Sequence, residues 1–152
     1  MGRPLPAVVA MMDRFRLAAH AYRTYGVIYW IGGFYLIWHG VGVRGGRTVE
    51  SGVVWIVLGL VFIVVIPYLL ARRRAWFERW IVSRRDFARI LVAFMAWRAW
   101  HVLKVVIRPE TARVSAPWGG EITFRVGACV FLIVTVAALL VIARAAWAKE
   151  AA

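Results

Sequence analysis

Three stretches of the chain contain no Asp, Glu, Lys or Arg: residues 24–43, 51–71 and 126–143. They run for 20, 21 and 18 residues, and a helix of ~20 residues, rising about 1.5 Å per residue, spans the hydrocarbon core of a bilayer. The 152-residue chain is also 63% hydrophobic, well above the roughly 45–50% of soluble domains. These features predict an all-α integral membrane protein, with a single membrane domain over residues 1–152.

The first two runs predict a transmembrane hairpin, 24–43 and 51–71, because only seven residues separate them and short connections join antiparallel helices. The third predicted span is 122–143, in which Arg125 snorkels towards the interface. Glycines recur every seven residues along both helices of the hairpin, which favours close backbone packing. They are Gly26, Gly33 and Gly40 in the first helix and Gly52 and Gly59 in the second.

Two flanking segments combine apolar and charged residues. In residues 7–23, apolar positions recur at helical spacing among Asp13 and three arginines, which predicts an amphipathic helix at the membrane interface. Residues 72–108 are strongly basic and predict an amphipathic interfacial helical segment between the second and third spans. The alternative is a fourth span, Phe87–Ile107, which would place Arg98 near mid-membrane at a cost of ~2.5–3.5 kcal/mol.

Basic residues are distributed unevenly about the predicted spans. With three spans, 16 of the 20 Lys and Arg residues fall on the side of the N-terminal arm and the central segment, and four fall on the other. Because Lys and Arg concentrate in cytoplasmic loops, this predicts a multi-pass protein of the inner membrane, with a cytoplasmic N-terminus and an external C-terminus. A fourth span would return the C-terminus to the cytoplasm.

The basic segment contains the predicted contact residues for lipid headgroups or an acidic partner: Arg72, Arg73, Arg74, Arg84 and Arg85. Each arginine near a membrane surface attracts anionic lipid by about 1 kcal/mol. A nucleic-acid partner is not expected, despite the net charge of +13, because the charges alternate with tryptophans and aliphatic residues.

His39 is the only histidine inside an uncharged run, and Gly32 lies on nearly the same helical face. An imidazole above a small residue is the arrangement that a haem or a chlorophyll-type pigment needs, so His39 is the candidate cofactor ligand. The alternative is a hydrogen bond to a neighbouring helix or to water. No metal site is predicted, since Cys129 is the single cysteine and the histidines are not clustered.

No catalytic motif occurs in the chain, and its seven acidic residues all lie outside the uncharged runs. The sequence therefore predicts a non-enzymatic accessory subunit of a larger membrane complex, with other membrane subunits and anionic lipids as partners. Tryptophan content and His39 suggest a respiratory or photosynthetic electron-transfer complex. The alternatives are a pigment- or haem-binding subunit that uses His39, and a small independent transporter or channel.

Overall fold

A computed structural model describes residues 6–38, 49–72, 75–108, 113–116 and 118–148 of the chain. Within these ranges the protein is helical apart from one short hairpin, which confirms the all-α class. The helices are α1 (Pro6–Trp38), α2 (Val49–Ala71), α3 (Ala75–Trp80), α4 (Arg84–Ile107) and α5 (Phe124–Trp147). The strands are β1 (Arg113–Ser115) and β2 (Glu121–Thr123).

Helix α1 joins two segments that the sequence predicts separately, the amphipathic helix 7–23 and the first part of the span 24–43. No glycine or proline separates them at Arg23 and Thr24, so nothing in the local sequence interrupts the backbone hydrogen bonds. The last five residues of the predicted span, 39–43, lie outside the described residues.

Two of the regularly spaced glycines lie where α1 and α2 pack together. A Cβ added at Gly26 would come within 2.9 Å of Ile63 Cγ1, and one added at Gly59 would come within 2.6 Å of Trp30 Cδ1. The Trp30 indole also donates a hydrogen bond of 3.3 Å to the carbonyl of Ile56. These contacts confirm the packing role for Gly26 and Gly59 and show that the two helices run antiparallel.

The basic segment 72–108 is divided by a helix start at Ser83. The Ser83 hydroxyl accepts a hydrogen bond of 3.1 Å from the Asp86 backbone amide and donates one of 2.6 Å to the Asp86 carboxylate. A serine cap of this kind satisfies a backbone donor that the helix itself leaves open. As a result, α3 ends at Trp80 and α4 begins at Arg84.

Strands β1 and β2 form an antiparallel hairpin in which Val114 lies opposite Ile122. A Gly-Gly pair such as Gly119-Gly120 is a turn signal, and strand residues pair on either side of it. Both glycines have positive φ, 92° and 85°, a region that residues with a Cβ rarely adopt. The Tyr35 hydroxyl of α1 donates to the carbonyl of Ser115, which ties the hairpin to the bundle.

The four long helices form an antiparallel bundle. Helix α1 packs against α2 and α5, α5 packs against α4, and α2 meets α4 only over a short stretch. The start of α1 and the end of α5 therefore lie at one end of the bundle, together with α3 and the start of α4. We call this the arginine-rich end, and we call the opposite end, which holds β1 and β2, the hairpin end.

Side-chain burial differs between the two ends. Within the described residues, the buried helical side chains lie in the half of the bundle next to the arginine-rich end, which we call the closed half. The half next to the hairpin end, the open half, contains half-buried and exposed helical side chains. The buried apolar set comprises Phe15, Ala18, Ala19, Tyr22 and Tyr25 of α1, Leu70 of α2, Ala88, Leu91 and Met95 of α4, and Ala138, Ile142, Ala145 and Ala146 of α5.

Two of the helices, α4 and α5, are long and apolar enough to cross a membrane, and the stretch Ile56–Ala71 of α2 is a shorter apolar helix. Only 11% of the apolar window of α4 and 17% of that of α5 are buried. A core helix of a soluble protein would bury most of such a window, whereas here the apolar side chains point outwards. The outer surface is thus of the kind that a lipid bilayer covers.

Candidate functional site

Arg98 is a half-buried charged residue about half-way along α4. It follows Ala88, Leu91 and Met95 on the same face of the helix, at spacings of three, four and three residues. These three residues are buried, so Arg98 continues the stripe that faces the other helices. Its side chain is half-buried and lies where the closed half gives way to the open half.

Aromatic side chains of α1 hold the Arg98 guanidinium. The guanidinium carbon lies 4.5 Å from the ring centre of Tyr29, a cation–π contact. Arg98 therefore bridges α4 and α1, two helices that do not pack directly against each other along their length.

The tyrosines are themselves fixed by ring contacts, which makes the site a packed unit. Tyr25 and Tyr29 stack with ring centres 6.1 Å apart, and Phe131 of α5 lies 5.8 Å from the first ring and 5.2 Å from the second. Tyr22 extends the row, 5.7 Å from Tyr25. We call Arg98, Tyr22, Tyr25, Tyr29 and Phe131 the arginine–tyrosine cluster.

Thr135 of α5 is the buried polar residue nearest in sequence to Phe131. It is fully buried, and its hydroxyl donates a hydrogen bond of 2.7 Å to the Phe131 carbonyl one turn earlier. Because that bond satisfies the hydroxyl within its own helix, Thr135 can be buried at little cost.

Among the described residues, Arg98 forms no ion pair with a carboxylate. Asp86 lies twelve residues earlier on the same helix, which corresponds to roughly 18 Å. Asp86 is also engaged already, since it forms an ion pair of 2.8 Å with Arg89 and hydrogen-bonds with Ser83. The latter bond is the main reason why the pKa of the Asp86 carboxyl lies below its usual range.

The arginines that the sequence predicts as lipid or partner contacts do not act as one group. Arg72 is exposed after the end of α2, and Arg73 and Arg74 lie outside the described residues. Arg84 lies over the Phe15 ring of α1, with its guanidinium carbon 4.0 Å from the ring centre. Arg85 donates a hydrogen bond of 3.4 Å to the carbonyl of Ala148, after α5. Arg84 and Arg85 thus brace α4 against α1 and α5, and their role in headgroup binding stays a prediction.

His39, the predicted cofactor ligand, lies outside the described residues. Among the side chains that the structure does place, no three His, Cys, Asp or Glu residues gather as a metal site would require. His101 contacts its own helix, where its Nδ1 lies 2.9 Å from the Trp97 carbonyl.

Sequence reasoning treated Arg98 only as a cost of the fourth-span alternative and did not identify its partners. A signal for them exists, since Tyr22, Tyr25 and Tyr29 recur at spacings of three and four residues and so share one face of a helix. That pattern does not indicate which helix the face meets, and the pairing of Arg98 with α1 emerges only from the packing. Comparison of the chain with protein-family models, with curated proteins and with solved structures gives no match.

Proposed function

We propose that the protein is a non-catalytic accessory subunit of a larger assembly in the inner membrane. The observation that carries this proposal is Arg98, a cation half-way along α4 for which the described residues supply an aromatic contact but no carboxylate. In the proposed assembly, a transmembrane helix of a partner subunit supplies that carboxylate.

The proposal places four helices across the bilayer, with Phe87–Ile107 as the fourth span. The antiparallel packing of α4 along α5 and the outward apolar surface of both helices support this alternative over an interfacial α4. Both termini then lie at the arginine-rich end. Outside the spans that end has twelve Lys and Arg residues in the sequence, against four at the hairpin end, so it faces the cytoplasm.

In this placement Arg98 lies eleven residues into its span, roughly 17 Å from the start. A guanidinium at the centre of a transmembrane helix costs ~2.5–3.5 kcal/mol to insert. A cation–π contact returns about 0.5–2 kcal/mol, so the tyrosines offset the cost only in part. Intramembrane arginines typically pair with an opposite charge inside a bundle, and a carboxylate of the partner would complete that pairing.

The open half offers the room for such a partner. Helices α2 and α4 meet only over a short stretch, and the helical side chains described in the open half are not buried. A helix that packs there would reach Arg98 from the side of the bilayer. Because the two surfaces would match by one buried charge pair, the partner should carry Asp or Glu near the middle of an otherwise apolar span.

The first experiment is purification of the tagged full-length chain in mild detergent, with mass spectrometry and an absorption spectrum of the same eluate. We expect a membrane protein at a fixed ratio that has an Asp or Glu inside a transmembrane helix. The sequence-based prediction of an electron-transfer complex, and the His39 cofactor, are tested by visible absorbance in that eluate and its loss in His39→Ala.

The variants that test the site are Arg98→Leu, Arg98→Lys and the control Arg89→Leu on the same helix. We expect Arg98→Leu to lose the partner, Arg98→Lys to keep much of it, and Arg89→Leu to keep all of it, because Arg89 already pairs with Asp86. The Arg98→Asp variant should also lose the partner. Binding should return when the acidic residue of the partner is changed to Arg, because the charge pair is then restored in reverse. A stable wild-type chain that purifies alone would refute the proposal, as would a partner whose ratio does not change in Arg98→Leu.

A reporter fused after the C-terminal tail tests the topology separately. The four-span arrangement predicts a cytoplasmic C-terminus, at which fused green fluorescent protein is fluorescent and fused alkaline phosphatase is inactive. The reverse result would support three spans with an interfacial α4, and Arg98 would then lie at the membrane surface.

A further inference from the structure

A cleft of about 490 Å³ lies between the first half of α1 and the last turns of α5, at the arginine-rich end. Its volume falls within the ~300–1,000 Å³ of small-molecule sites. Arg14 and Arg144 line it from the two helices, and Leu17, Val141 and Ala145 supply apolar wall. The cleft is separate from the arginine–tyrosine cluster.

The charged residues that line the cleft are both basic. No acidic residue is among its described lining residues. A third arginine adjoins it from α4, since Arg85 donates a hydrogen bond to the carbonyl of Ala148, which lines the cleft. Three guanidinium groups thus line or adjoin one opening.

Charged and apolar groups are also ordered along the bundle axis. Arg14 and Arg144 lie nearer the arginine-rich end than Leu17 and Val141, because α1 runs away from that end and α5 runs towards it. Trp147, 57% exposed, lies at the outer edge, where tryptophans anchor to the membrane interface. A ligand in the cleft would therefore meet cations at the membrane surface and apolar side chains further in.

We infer that this cleft binds one anionic phospholipid of the cytoplasmic leaflet, with its phosphate between Arg14 and Arg144 and its acyl chains against Leu17 and Val141. Basic clefts between transmembrane helices on the cytoplasmic side bind lipid headgroups in this way. The inference rests on the proposed membrane placement but not on a partner subunit, so it stands or fails separately from the pairing of Arg98.

The test is native mass spectrometry of the purified full-length chain, titrated with phosphatidylglycerol or phosphatidylcholine of equal chain length. We expect one tightly bound phosphatidylglycerol per chain and much weaker phosphatidylcholine binding. The double variant Arg14→Gln/Arg144→Gln should weaken phosphatidylglycerol binding about 30-fold, given the attraction of each basic residue near anionic lipid. The double variant Arg14→Lys/Arg144→Lys should retain binding, which separates loss of charge from misfolding.

The matched control is Arg113→Gln/Arg125→Gln, which removes the same charge from the hairpin end. It should change binding less than about threefold. A control that weakens binding as much as the cleft variant would overturn the inference, because attraction would then follow net charge. Equal binding of the two lipids would overturn it too, as would equally tight binding of glycerophosphoglycerol, the headgroup without acyl chains.

Discussion

The closed and open halves of the bundle are built from the same helices, yet they differ in side-chain burial. In the closed half, the buried set includes small residues of α1, α4 and α5, and Ala18 and Ala88 are fully buried. Small residues let helix backbones approach closely. In the open half, α2 and α4 diverge, and the inward positions are half-buried or exposed in the described residues.

This difference indicates what each half does. The closed half has the packing of a finished core, with Leu70, Met95 and Ile142 among its largest fully buried side chains. The open half ends at the arginine–tyrosine cluster, where, among the described residues, a cation meets an aromatic ring and no carboxylate. Closed packing at one end, and open packing beside this cation at the other, agree with the proposal of a subunit that packs against a neighbour.

The largest effect should come from cutting a buried side chain in the closed half. Ile142→Ala removes a fully buried side chain of α5 and should destabilise the chain by ~2–5 kcal/mol, because a cavity remains. Ile133→Ala on the same helix removes a side chain that is 68% exposed and should cost about 1 kcal/mol or less. Unfolding in mixed detergents, followed by circular dichroism, gives both values. If both variants lost the same free energy of unfolding, burial would not differ between the closed and open halves.

A smaller effect is expected at the seam between α1 and α2, which stays tight even in the open half. Gly59→Ala places a Cβ 2.6 Å from Trp30 Cδ1, and such overpacking typically costs ~1–3 kcal/mol. Gly32→Ala meets no atom within 4 Å and should be neutral or stabilising by up to about 1 kcal/mol, since alanine favours the helix. The same unfolding measurement compares them. A Gly59→Ala chain as stable as Gly32→Ala would show that Trp30 does not pack there.

The cluster should respond in the opposite direction. For the isolated chain, Arg98→Leu removes an insertion cost of ~2.5–3.5 kcal/mol and loses a cation–π contact worth about 0.5–2 kcal/mol. We therefore expect a gain in stability of about 0.5–3 kcal/mol, together with loss of the partner. Thermal unfolding of the purified variant measures the first effect. A strong destabilisation would make Arg98 a structural residue of the bundle.

The smallest effect concerns pH and the start of α4. The hydrogen bond from Ser83 and the ion pair with Arg89 lower the pKa of Asp86 below its ordinary 3.8. The stabilisation is therefore complete above that pH and is lost as the pH falls through the lower, folded-state pKa. As the pH is lowered from about 5 until Asp86 is protonated, the free energy of unfolding of wild type should fall slightly more than that of Asp86→Asn. Identical acid profiles would contradict the role of Asp86.

Much of the bundle can be predicted from local patterns, because a bilayer restricts what an uncharged run can become. The uncharged runs, the connection of seven residues and the seven-residue glycine spacing indicate the antiparallel hairpin of α1 and α2. The contacts of Gly26 and Gly59 then follow. The sequence also identifies 72–108 as basic and helical, but its division at Ser83 depends on a cap whose geometry appears only in the structure.

Local sequence patterns of this kind could not predict the candidate site. Arg98 and Tyr29 are 69 residues apart, and the helices that carry them are not direct packing neighbours. Arg14 and Arg144 in the cleft are 130 residues apart, and no sequence pattern relates them to each other. Each pair depends on which helix faces which, and periodicity within one helix carries no information on that choice.

The sequence by itself determined the apolar composition, the helical class and the concentration of arginine in residues 72–108. The first two follow from residue type, because long uncharged apolar runs favour helices. Only the tertiary structure decided that α4 lies along α5, that one half of the bundle is closed, and that Arg98 meets tyrosines. The physical reason is that long-range pairing depends on how side chains of several helices fit together in three dimensions.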